Sequence, residues 1–143
     1  MNERNKWEKP RAFILHDGRD KTSIAKPLAN ELKKLMCPVR YDQFSLRIDD
    51  SLSENIERGL KECSNCILIL TPNFLSNEGW KREYDTMFTR EIVEEQRAIL
   101  PVWDDVSIGD VSVFSPILAD RPAVQWSAGL SDVARKLLQS IGV

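Results

Sequence analysis

Three stretches hold side chains that could do chemistry. Glu83 stands three residues after Trp80, near the start of a predicted helix. A carboxylate there has two readings, a partner of the helix dipole or a catalytic group at the edge of a cleft. The second stretch, His16-Asp17-Gly18-Arg19-Asp20-Lys21, follows a short apolar run and is rich in polar groups. Gly18 stands alone in it, so neither a G-x-G-x-x-G nor a Walker A phosphate cradle is present. The third, Cys63-Ser64-Asn65-Cys66, matches C-x-x-C. With no second pair to complete a zinc site, it reads as two packed thiols. His16 is the chain's one histidine and no serine sits in a G-x-S-x-G elbow, which disfavours a serine triad. Trp80 and Trp103 are large rings that either line a pocket or pack.

The elements that must position these groups alternate in period. Arg11–His16, Pro38–Tyr41, Cys66–Leu70, Ala98–Val102 and Ala123–Trp126 read as strands, the last at an edge. Helices are predicted over 23–36, from the Ser51/Glu54 capping box onward, over 80–96, and from Leu130 to Ile141. Pro27 must fall in the first turn of its helix. Phe114–Leu118 reads as a short helix or turn. Strands alternating with helices argue for an α/β fold, a parallel sheet covered on both faces. Its sites are expected at the carboxyl ends of strands, after His16, Tyr41, Leu70 and Val102. The connection Asp42–Asp50 is long for such a loop, and it is expected to expose Phe44, Leu46 and Ile48 to a partner or ligand.

Length and composition bound the rest. The chain has 143 residues, 42% of them hydrophobic, enough for one packed core without disulfides or metal. Twenty Lys and Arg against 22 Asp and Glu leave a net charge of −2, with a pI near 5.5. Such a balance excludes a generally basic nucleic-acid binder. No apolar run approaches the roughly 18 residues of a membrane span. The polar N-terminus lacks a signal core, and three cysteines make no disulfide scaffold, so a cytoplasmic location is expected.

Taken together, these segments resemble Toll/interleukin receptor (TIR) domains. Phe13-Ile-Leu-His16 with Asp20-Lys21 is similar to the family's first box. Tyr41 to Leu52, followed by Ile56-Glu-Arg-Gly-Leu60, is similar to its BB loop and the next helix. Ile67 to Phe74, Trp80 with Glu83-Tyr-Asp85, Ile99 to Trp103 and Phe114 to Asp120 resemble the branch found in bacterial TIR proteins. Leu15 and Asp49 depart from the family's usual serine and glycine, and the Trp80-to-Glu83 interval is one residue short. The resemblance implies a TIR domain over 11–143 after an N-terminal extension of 1–10. It implies a flavodoxin-like three-layer sandwich with a five-stranded parallel sheet.

It also implies cleavage of NAD⁺ at the nicotinamide–ribose bond, to nicotinamide and ADP-ribose or a cyclic variant. NAD⁺ is then the substrate, with no cofactor and no metal, in a bacterial signalling or antiviral defence setting. Glu83 takes the catalytic role. His16, Asp17, Arg19, Phe44, Trp80 and Trp103 are the candidate substrate contacts. Phe44, Ser45, Leu46, Arg47 and Ile48 form a BB loop that engages other TIR domains. The alternative is a non-catalytic scaffold that binds other TIR domains through the same loop.

Overall fold

The computed structural model describes residues 10–48, 50–77 and 98–142. Strand β1 (Ala12–Asp17) runs into a 3₁₀ turn (Gly18–Asp20), a π-turn (Lys21–Ala25) and helix α1 (Lys26–Lys34). Strand β2 (Val39–Arg40), a 3₁₀ turn (Asp42–Phe44) and strand β3 (Ser45–Leu46) lead to α2 (Leu52–Glu62). Then follow β4 (Asn65–Leu70), α3 (Pro72–Ser76) and β5 (Ile99–Trp103). Helices α4 (Ile108–Phe114) and α5 (Pro116–Asp120), strand β6 (Val124–Gln125) and α6 (Leu130–Ile141) complete it. The helix predicted over 80–96 lies outside the described residues.

The sheet order is β2-β1-β4-β5-β6, every pairing parallel, as expected of the flavodoxin-like class. The short β3 pairs with the last residues of β1, His16 against Ser45 and Asp17 against Leu46. Side chains alternate across the strands and build two cores. On one face Phe13, Leu15, Leu68 and Leu70 pack with Leu52 and Ile56 of α2, Phe74 of α3, and Val111 and Phe114 of α4. On the other, Ile14, Ile67, Ile69 and Val102 pack with Leu28 and Leu32 of α1 and Val133 and Leu137 of α6. Helices therefore cover both faces, giving three layers. Pro101 is tolerated inside β5 because β6 pairs only with Val102 and Trp103.

Two local expectations change. The helical path after β1 starts earlier than Ser23, and its first full turn is a π-turn, with the Lys26 N–H bonded to the Lys21 carbonyl. Pro27, at the start of α1, has no N–H to donate and crowds the carbonyl four residues back, and a widened turn relieves that. The stretch before Phe114 is also helical. Ser107 and Asp110 cap α4 reciprocally, the Ser107 N–H donating to Asp110 Oδ2 at 2.9 Å and the Asp110 N–H to Ser107 Oγ at 3.1 Å.

Candidate active site

An open cleft of about 410 Å³ lies at the carboxyl end of the sheet. Asp17, Gly18 and Arg19 of the β1 loop line it, with Leu46, Arg47 and Ile48 after β3, and Ser76 and Asn77 after α3. Each lining segment is tied down from below. Asp17 is buried at the end of β1, and both of its oxygens are engaged. Arg19 donates to it through its backbone N–H and Nε at 2.9 Å each and through Nη2 at 3.1 Å, and Asn77 Nδ2 approaches to 3.4 Å. Burial works to raise the Asp17 carboxyl, but the hydrogen bonds from Arg19 and Asn77 outweigh it and hold the group below the ordinary carboxylate range. Arg19 Nη2 also reaches the Asn73 carbonyl at 3.0 Å, so the guanidinium stands fixed at the cleft wall.

Asp20 locks the β1 loop to the turn after β4. It accepts from Thr71 Oγ1 at 2.5 Å and from Asn73 Nδ2 at 2.8 Å. The same Thr71 hydroxyl accepts from the Phe74 N–H at 3.1 Å and so caps α3. Lys21 pairs with Asp42 at 2.6 Å, joining the β1 loop to the loop before β3. Beyond the end of β5, Asp104 has its carboxyl raised by burial first and by the nearby Asp105 and Asp20 second. Among the described residues no group of three or more His, Cys, Asp or Glu is arranged to hold a metal ion.

Asp17, Arg19, Leu46, Arg47 and Ile48 are thus brought to one cleft. Glu83 and Trp80 lie outside the described residues. Three candidate contacts are corrected. His16 is fully buried, with Nδ1 3.0 Å from the Ile14 carbonyl and Nε2 2.7 Å from Ser45 Oγ, so neither ring nitrogen is left for a ligand. Phe44 is 2% exposed rather than displayed. Its ring lies 4.5 Å from that of Phe13, and Arg58 stacks on it at 4.5 Å. Trp103 also faces the core, because β5 extends through it and pairs it with Leu70. Leu46 is buried as well, so of the three apolar loop residues Ile48 alone is exposed. Arg47 beside it is exposed too, and among the described residues no carboxylate pairs with its guanidinium.

The sequence reading missed Ser76 and Asn77 as cleft residues and the Asp20–Thr71–Asn73 clamp. The signal for the clamp was Thr71-Pro72 directly after a buried strand, a pattern that caps a helix at the carboxyl edge of the sheet. Both packed-thiol assignments hold, Cys63 and Cys66 being buried and free.

Fold and cleft define a flavodoxin-like α/β domain with an open cleft at the carboxyl edge of a parallel sheet. The TIR domain family model matches residues 12–138, and the chain belongs to that family. It is 35% identical over 128 residues to the NAD(+) hydrolase TcpC of Escherichia coli O6:H1, a match covering 89% of this chain and 42% of that protein. It is 33% identical to the 2′ cyclic ADP-D-ribose synthase AbTIR of Acinetobacter baumannii, over 90% of this chain and 48% of that protein. The chain therefore spans less than half the length of these two relatives. The TIR domains of the activated Roq1 resistosome share the fold, with a TM-score of 0.63 at 16% identity over 92% of this chain and 98% of theirs. Among the described residues no helix is long and apolar enough to cross a membrane.

Proposed function

We propose that this domain cleaves NAD⁺ at the nicotinamide–ribose bond, releasing nicotinamide and forming ADP-ribose or a cyclic variant. The carrying observation is the charge pattern of the cleft. Asp17, the one carboxylate among its described lining residues, is neutralised by Arg19, while the exposed Arg47, next to apolar Leu46 and Ile48, has no carboxylate partner among the described residues. Such a wall offers a cation to a pyrophosphate and apolar surface to a flat ring beside it, the two features that a dinucleotide combines. The names of the relatives at 33–35% identity support the same substrate.

The chemistry asks little of the protein. Nicotinamide leaves as a neutral base from a cationic ring, so no general acid is needed. A fixed carboxylate beside the ribose stabilises the developing oxocarbenium character, and Glu83 is the residue assigned that role. Whether water or an internal nucleophile, an adenine nitrogen or a ribose hydroxyl, then attacks the anomeric carbon decides between the linear and the cyclic product. Ile48, 63% exposed at the loop tip, favours a second reading, in which the tip engages another TIR domain, with or without turnover.

The test is NAD⁺ consumption with product identification, across protein concentration, for the native chain and Glu83→Ala. Turnover that rises with concentration and vanishes in the variant supports an assembly-dependent NAD⁺ glycohydrolase or cyclase. No turnover at any concentration leaves the scaffold reading.

A further inference from the structure

We infer that His16 is a positioning residue: through Ser45 it holds the wall formed by Leu46, Arg47 and Ile48 in register with the rest of the cleft. The inference rests on reading this cleft as the NAD⁺ site. A carbonyl oxygen only accepts, so the 3.0 Å contact with Ile14 assigns the proton to Nδ1. Complete burial keeps the ring neutral, which leaves Nε2 an acceptor. Ser45 Oγ therefore donates to it, at 2.7 Å. The bond crosses 29 residues of sequence and lies where Ser45 pairs with His16 in the sheet. Strand β3 is two residues long, too short to fix its own register, and the residues that follow it line the cleft. Phe44 and Leu46 anchor the flanks by burial, but burial alone is not directional. The imidazole adds a directional side-chain contact to that two-residue backbone pairing.

The experiment compares Ser45→Ala, His16→Asn and His16→Gln in the whole chain. Asn retains a donor near the Nδ1 position and loses the distal acceptor, whereas Gln retains an amide oxygen near Nε2. Loss of one such hydrogen bond corresponds to about a fivefold change. Ser45→Ala and His16→Asn are expected to raise KM for NAD⁺ by about that factor with kcat within about twofold. His16→Gln should restore most of the loss. The double variant Ser45→Ala/His16→Asn should be no worse than either single one. Amide exchange at Leu46 and Arg47 should speed up in Ser45→Ala by a similar factor. Additive single effects, an unchanged KM, or unchanged exchange in Ser45→Ala would overturn the inference. The exchange measurement needs no turnover. If the native chain fails to cleave NAD⁺, the substrate reading falls while the positioning role is still decided.

Discussion

Gly59 offers a substitution whose sign is set by geometry. It lies in α2 directly over the ring of Phe13, and a Cβ placed there would come within 2.2 Å of Cζ and 2.4 Å of Cε1 and Cε2. Ordinary carbon contacts need about 3.5–4.0 Å, so the ring must move by more than an ångström. It has nowhere to go cheaply. Phe13 is fully buried, and its other neighbour, Phe44, is itself held by Arg58. Arg58 in turn donates to the Gln43 carbonyl and to Asn55 Oδ1, both at 2.7 Å. Overpacking of this kind costs about 2–3 kcal/mol. Replacing a mid-helix glycine by alanine offsets about 1 kcal/mol of that through helix propensity. Gly59→Ala is therefore expected to lose about 1–2 kcal/mol, a fall in Tm of about 3–7 °C for a chain of this length. Gly109→Ala is the matched control. In α4 the nearest atom to its added Cβ is Ser107 Oγ at 3.6 Å, so that variant should be neutral or slightly stabilised. Thermal and urea melts of both measure the difference. A Gly59→Ala protein as stable as the native one would refute the claim that helix and strand are in forced contact here.

Two further expectations concern titration and reactivity. Burial lowers the His16 pKa from about 6.5, with Asp20 and Asp17 opposing and Lys21 assisting, so the unfolded chain takes up the proton first. Its contribution to stability is then complete above about pH 6.5 and is lost as the pH falls below that value. Urea midpoints should drop between pH 7.5 and 5.5, and the drop should shrink in His16→Gln; a native midpoint that does not change over this range contradicts the burial. All three cysteines are buried and free, and burial pushes the Cys66 thiol far up, so a thiol reagent should modify them slowly in the native protein and rapidly in denaturant. Fast modification at neutral pH without denaturant would show that the core opens.

The central strands were legible because β1, β4 and β5 are apolar runs flanked by breakers, and α6 because its apolar stripe is regular. The loop before α2 was not. Phe44 and Leu46 sit at strand spacing, but the pattern is only three residues long, and β3 exists because β1 extends past β2 and leaves pairing groups open. Read without that partner, the two side chains looked exposed. Trp103 was misplaced for a related reason. The strand continues one residue further than the sequence pattern indicates, and that residue falls on the core face. His16 opens a polar stretch of sequence that has the composition of a binding loop, whereas it is still part of the strand. Of the cleft, Asp17, Arg19 and the Leu46–Ile48 segment were accessible from sequence, while the Asp20 clamp depends on residues more than fifty positions away.

The sheet's margins carry a consequence for the behaviour of this domain in concentrated solution. Strands β2, β3 and β6 are each two residues long, and β6 runs directly into the turn Trp126–Ala128. A free strand edge templates the addition of another chain only where several consecutive backbone groups lie open and flat. None of these short strands offers that. A domain that collects at high local density would then be guarded against cross-β fibrillation, even though Cys66–Leu70 of its central strand β4 is an uninterrupted apolar run prone to it when unfolded.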